Sequence, residues 1–486
     1  MTNNQAPNSK QITMIKYQPS IFNNQSGSIT PPLLIVGGVF VVVIYSLLLM
    51  LGLQLDYSHR QVASEEALYI AEAGINYYRW HLAHAPEDFR DGSEEDGPYE
   101  HEYFDPQGRK EGVFSLEIIP PADGSFIVTI KSTGWTDRYS GVKRTITAQY
   151  GKTSMTEYSF LQNASSWYGS GITVNGRIHS NNGIRMDGVN LSLVTSAKET
   201  YKCGTETGCF PPKWKPGVWG SGGDQALWSF PVPQIDFDAI SFDLTTMRDA
   251  AEEEGLYLDD SGAYGYHIEF LANGTFDVSR VTKTKYYKGY SVPGQGLGQA
   301  GKGGCRKLYQ RIDEEVSIGT YSILDVPIVF SEDDLWVEGT INGQITVVAA
   351  SFPIQSSNIN IWIKNSLVYT AHDNSNSLGL IAQNDIYFAR DIPEDFRIDG
   401  ALIAQKGKII RHGYFSWCGG SSEAVKDKLT INGSIISYYK SYWNFGSQPD
   451  SGFIEREINY DTNLLYAPPP YFPTSGEYEF ISWTEE

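Results

Sequence analysis

Asp385, Asp391, Glu394 and Asp395 crowd one short stretch together with Arg390 and Arg397. Two carboxylates that converge in a groove can divide acid and base or nucleophile work in glycoside cleavage, so polysaccharide processing is one reading of the cluster. Turn corners of a β structure carry the same residues without catalysis, and that is the expectation here. The sequence contains no Gly-x-Ser-x-Gly element. Gly296 to Lys302 (GLGQAGK) imitates a phosphate-binding loop, but Gly303 stands where Ser or Thr should ligate magnesium. No apolar strand leads into it, so a flexible glycine loop is expected. His81 and His84 lie one helical turn apart near Glu87 and Asp88, a spacing that can touch a metal but more often marks interface histidines.

The four cysteines are Cys203, Cys209, Cys305 and Cys418. Cys203 and Cys209 close a short loop suited to a disulfide in an oxidising compartment, whereas zinc sites pair their ligands more closely and free thiols are the plain alternative. Cys305 and Cys418 form a further possible pair whose connectivity spacing leaves open. A net charge of −20 argues against nonspecific binding to a phosphate backbone, which depends on Lys and Arg displacing counterions. No nucleic-acid partner and no cofactor are expected, and the chain is read as noncatalytic.

The elements that must position these residues start with Leu33 to Leu55, an uncharged run of 23 residues. As a helix it is about 35 Å long and exceeds a hydrocarbon core of about 30 Å. Lys10 and Lys16 precede it, while Asp56, Glu65 and Glu66 follow. The Lys/Arg bias therefore puts the N-terminus in the cytoplasm and the remainder outside the inner membrane, with membrane lipid as the first partner. The long polar lead is unlike an ordinary secretory signal and suggests a signal anchor, or a leader cut before the helix at Gly27 and Ser28. From Asp56 to Leu82 no proline occurs, and Ala63, Ala67, Ile70, Ala71, Gly74, Tyr77 and Tyr78 draw one stripe at spacings of three and four. The spacing predicts a single helix that runs on until Pro86 ends it.

The order of polar leader, Gly27-Ser28, uncharged span and ALYIAEAGINY over Ala67–Tyr77 resembles the N-terminus of PilX-type proteins, pilin-like minor components of type IV pilus assembly. In that family an acidic Ala-Glu-Ala-Gly element follows the span on the same helix, and Ala71, Glu72, Ala73 and Gly74 match it by position. LLYAPPPYFP over Leu464–Pro473, followed by Tyr478 to Trp483, looks like their C-terminal signature. The resemblance implies a pilin-like fold and other pilin-like or pilus assembly proteins as partners. It departs at Pro32, where major pilins counted from Ser28 carry Glu, and no basic residue sits just before Gly27.

Four strand-like stretches follow the helix, at Tyr99–Phe104, Val113–Ile119, Phe126–Ser132 and Val142–Tyr150. Their short connections predict an antiparallel meander covered by the outer half of the helix. Beyond Lys152 a corner pattern recurs as VNGRI at 174–178, VEGTI at 337–341, IDGAL at 398–402 and INGSI at 431–435. Such repeats suit a β-solenoid-like body, a parallel β-helix in which each coil buries its apolar side against its neighbours, with an irregular β-sandwich as the alternative. The fold class is thus mainly β with a long N-terminal α-helix. Residues 1–32 form a cytoplasmic leader or tail, 33–84 the transmembrane and extended helix, and 85–151 the pilin-like antiparallel sheet. Residues 152–486 form the β-solenoid-like body, with an insert at about 195–330 and a cap over 464–486 laid across an open end.

The insert carries Trp214, Trp219 and Trp228, a surface helix within Asp236–Glu254, and a hairpin turning at Ala272-Asn273-Gly274. The joint order of anchor, helical Ala-Glu-Ala-Gly element, meander and repeat body, with the resemblance to PilX-type proteins, implies a noncatalytic pilin-like component or assembly factor that displays its β-body for assembly or adhesion. Its outer ligand would be a surface polysaccharide or a protein. The alternatives are a membrane-tethered polysaccharide-processing enzyme on the solenoid, or a surface binding module unrelated to pili.

Overall fold

The computed structural model describes residues 29–121, 127–237, 240–292, 304–353, 358–419, 422–445 and 449–485. Gly27, Ser28 and the glycine loop from Gly296 to Lys302 lie outside the described residues. The chain divides into two compact units, Met1–Glu66 and Ala67–Glu486, and is mainly β with one long N-terminal helix, α1 (Thr30–His84).

In the first unit the apolar side chains from Leu33 to Leu55 stand exposed, Leu34 and Leu53 by more than 70%. Each Leu, Ile, Val or Phe left in water forgoes about 1.5–3 kcal/mol, so a run of this kind demands an apolar surrounding. The segment is long and apolar enough to cross a membrane.

In the second unit, Ala67 to His84 lies against an antiparallel sheet. Its first four strands are β1 (Tyr99–Phe104), β2 (Lys110–Ile119), β3 (Ile127–Thr136) and β4 (Lys143–Ser154), paired in chain order. Alternate residues Leu116, Val128, Ile130, Ile146 and Ala148 are buried, as the period of two requires when one face is covered. Ile70, Ala71, Ile75, Tyr78 and Leu82 share that core. The C-terminal strand, Thr474–Glu485, is a fifth member of this sheet, antiparallel to β4. It pairs the edge that β4 would otherwise present, which removes a site of edge-to-edge association.

The remainder of the second unit is organised by parallel ladders. One runs through Leu256–Leu258, Ile328–Ser331, Gln344–Ala349, Ser377–Ala382 and the second halves of Asp395–Ala404 and Val425–Ser437. It continues through Tyr158–Gln162, Arg177–Ser180, Val194–Ser196 and Trp228–Ser229. A single register column reads Leu256, Val329, Val347, Leu380, Leu402, Ile435, Phe160, Ile178, Val194 and Trp228. Every position is apolar or aromatic, so stacking like on like excludes water along the ladder. The neighbouring column, with Phe330, Val348, Ile381, Ile403, Ile436 and Leu161, is covered by Leu244, Met247 and Ala251 of α2 (Ile240–Glu254) and by Leu464 and Phe472.

Two of the four corner repeats stack directly on one another. Ile398 to Leu402 pairs residue for residue with Ile431 to Ile435, Gly400 opposite Gly433. Gly433 has φ of 153°, and a Cβ there would lie 1.9 Å from the carbonyl oxygen of Gly400. Glycine is therefore required both for the bend and for the close stacking. Beside it, Asn432 Nδ2 donates to Asp399 Oδ1 at 2.7 Å and Asn459 Nδ2 donates to Asn432 Oδ1 at 3.1 Å, a side-chain ladder parallel to the backbone one. The segment 195–330 supplies strands to the parallel ladders at both Leu256–Leu258 and Tyr266–Leu271, the latter against Leu335–Ile341. Its hairpin, Tyr266–Leu271 with Thr275–Ser291, turns at Gly274 and extends through Gly304–Ser322.

Candidate functional site

The Ala-Glu-Ala-Gly element sits where helix and sheet approach closely. Ala71 and Gly74 are buried, Ala73 is half-buried and Glu72 is exposed. A Cβ on Gly74 would meet Ser132 Oγ at 2.3 Å and the Phe114 ring at 2.8 Å. From the sheet side, a Cβ on Gly134 would stand 2.3 Å from the Ala67 carbonyl oxygen and 2.5 Å from the Ala71 nitrogen. Small residues on both surfaces thus bring backbone against backbone, and Glu72 faces away from that contact.

Of the acids that suggested catalysis, Asp385, Asp391 and Glu394 each hold a separate structural partner. Asp385 is buried, accepts from the Tyr387 hydroxyl at 2.6 Å and from the Lys408 amide at 2.8 Å, and burial raises its pKa. Asp391 pairs with Arg390 at 2.6 Å, and although burial opposes it, hydrogen bonds from Arg390 and Tyr287 hold its carboxyl below the usual range. Glu394 pairs with Lys426 at 2.8 Å. Asp395 opens a ladder strand, and Arg397 donates to Asp399 at 2.9 Å. His81 meets Asp88 at 3.0 Å and His84 the Trp80 carbonyl at 2.8 Å. Cys203 and Cys209 form a disulfide with Cα atoms 5.6 Å apart, and Cys305 is joined to Cys418. Trp214 stands exposed, Trp219 donates to the Tyr201 hydroxyl at 2.8 Å, and Trp228 donates to Asn190 at 3.3 Å.

A different constellation forms a cleft of about 530 Å³, within the range of about 300–1,000 Å³ usual for small-molecule sites. Its walls come from Phe160 to Ile172 with Asp187 and Ser221, and from Lys440 to Asn444 with Arg456. The two chain stretches meet because Val425–Ser437 pairs with Tyr158–Gln162, so the end of the ladder region is laid directly beside its beginning. Trp167 stands 40% exposed, Trp443 is buried, and the Arg185 guanidinium lies 4.3 Å from the Trp167 ring centre. Asp187 accepts from the Trp167 indole at 2.9 Å and pairs with Arg185 at 2.7 Å. Burial opposes its ionisation, but these contacts and the Ser221 amide hold its pKa low. Lys440 donates to the Glu206 carbonyl; burial pulls its ammonium down to about 8 against the charge of Glu206. Burial likewise lowers Arg456.

No family model matches the sequence, and no curated protein matches it. Among solved structures, the chain is similar to the competence-associated pilin ComZ from Thermus thermophilus. That match has 13% identity and a TM-score of 0.31, covering 87% of this chain and 98% of the other. A likeness of this size decides neither fold nor function.

Sequence reasoning did not single out the cleft residues. Gln162, Lys440, Trp443 and Arg456 form no local motif, and their proximity depends on pairing across most of the chain. The available signal was weaker: a Lys and an Arg among aromatics and hydroxyls in a strongly acidic chain.

Proposed function

We propose that the chain is a noncatalytic, pilin-like component of a type IV pilus-like system, of the PilX-like kind, anchored by α1 and displaying a β-solenoid-like body outside the inner membrane. The observation that carries this reading is α1 itself. Its first part leaves an uncharged run of side chains exposed, and its later part puts a small-residue stripe beneath an antiparallel sheet. An oil-soluble rod continuing into a sheet-covered helix is what a subunit needs if it is stored in a bilayer and packs against similar helices in a filament. The stacked corners and parallel ladders support the solenoid reading, and the individual partners of Asp385, Asp391 and Glu394 support a noncatalytic body.

Under this reading the N-terminus is cytoplasmic, membrane lipid surrounds Leu33–Leu55, and the partners are other pilin-like or pilus assembly proteins. Processing at Gly27 and Ser28 belongs to the same proposal. Fractionation of the native cells into sheared filaments, membranes and soluble material tests it. Recovery in membranes or filaments is expected, with a new N-terminus at Ser28 by mass spectrometry if the leader is cut. An intact Met1 in the membrane fraction would identify a permanent anchor, and recovery in the soluble cytoplasm would overturn the proposal.

A further inference from the structure

The chain carries a net charge of −20, which by itself repels anions, yet the cleft collects cations. The Arg456 side chain has no hydrogen-bond or ion-pair partner among the described residues, and its Nε is buried. Lys440 spends one N–H on the Glu206 carbonyl, leaving two donors. Asp187, the acid of the lining, is already matched by Arg185. Further groups of the lining are buried without partners, among them the Gln162 Oε1 acceptor and the Trp443 Nε1 donor, in side chains only 2% and 6% exposed. A buried polar group left unpaired is unfavourable, so several on one cleft point to a polar occupant.

The rest of the lining narrows the class. Hydroxyls and amides alternate with aromatic rings, and Ile172 is the aliphatic side chain among them. A peptide would ask for apolar pockets, whereas a pyranose ring offers hydroxyls at its rim and an apolar face to an aromatic wall.

We propose that this cleft binds a saccharide bearing a carboxylate, with the carboxylate held by Arg456 and Lys440 and the ring hydroxyls met by Gln162, Trp443 and the neighbouring serines. A planar guanidinium suits a carboxylate through two parallel hydrogen bonds. The proposal deepens, and rests on, the reading of the body as a displayed binding surface. Binding is nevertheless measured on the isolated chain, so its failure is distinguishable from failure to enter a membrane or filament.

The test is calorimetry on the detergent-extracted full chain. The probes are oligogalacturonides of two to four residues, neutral galactose oligomers of the same lengths, and a short Asp/Glu peptide. The acidic saccharides are expected to bind at least tenfold more tightly than either of the others. Arg456→Gln should weaken that binding tenfold or more. Because Arg456 is partly buried, Ser170→Trp serves as a second variant: Ser170 is exposed at the cleft wall, so the indole should fill the site without disturbing the core. Equal binding of the neutral oligomers, tighter binding of the peptide, no binding of any probe, or full binding by Ser170→Trp would each overturn the proposal.

Discussion

The helix-covered sheet and the parallel-ladder region both depend on missing Cβ atoms, but for opposite reasons. At Gly74 and Gly134 the helix and sheet need room, since any side chain would strike the facing surface. At Gly433 the backbone itself needs freedom, because the bend lies at φ of 153° and the next corner is stacked directly against it. One region spends glycine on distance between elements, the other on direction within a strand. The first is assembled mainly from neighbours in sequence; the second joins strands separated by hundreds of residues, as where Ile435 faces Phe160.

Substitutions at these glycines should separate the regions. Gly433→Ala combines a strained φ with a clash against the Gly400 carbonyl and should cost about 4 kcal/mol, read as a large drop in the melting temperature of the ladder region. A loss below about 1 kcal/mol would show that the corner relaxes and would break the contrast.

Acid should act next, on a partly buried ion-pair network of the ladder region. His267 bridges Glu315 at 2.9 Å and Glu338 at 3.1 Å, and Lys364 lies 2.7 Å from Glu338. Burial opposes the Glu338 carboxylate, but hydrogen bonds from His267 and Lys364 hold its pKa at about 2 against an ordinary 4.5. A lowered carboxylate pKa stabilises the fold above pH 4.5, and that contribution is lost as pH falls toward 2. It amounts to at most about 3 kcal/mol, and Glu338→Gln should flatten the melting temperature against pH across that window.

Gly134→Ala should cost about 2 kcal/mol through overpacking against Ala67 and Ala71. Hydrogen exchange should quicken over Ala67 to His84 and leave Val425–Ser437 unchanged. Equal quickening in both would mean that the two regions unfold as one unit. The smallest effect is expected from Asn432→Ala, about 1 kcal/mol, because the side-chain ladder from Asp399 to Asn459 loses its middle member while the backbone pairing remains. A thermal melt with Asn432→Asp, which puts a second carboxylate opposite Asp399, should give a larger loss and sharpen the assignment.

Much of the first region was legible in the sequence. The uncharged run, the small-residue stripe and the alternation in β1 to β4 are periodic over short windows, and period reports directly on which face is covered. The corner motif in the second region was equally visible, since a polar-Gly pair between β-branched residues encodes its bend locally. The cleft was not. Trp443 and Arg456 became wall residues beside Gln162 only because a late strand returned to an early one, and no local pattern records such a meeting. The same holds for Thr474–Glu485, whose alternation marks a strand but does not say that β4 is its neighbour.

The sequence alone therefore determined the rod, the meander strands and the glycine corners, because each follows from backbone freedom and side-chain period within a few residues. Only the tertiary structure decided which strands lie side by side, which edge the C-terminus closes and which polar groups face one cleft. Those choices depend on register and burial between distant segments, where many partners satisfy the same local pattern and packing selects one.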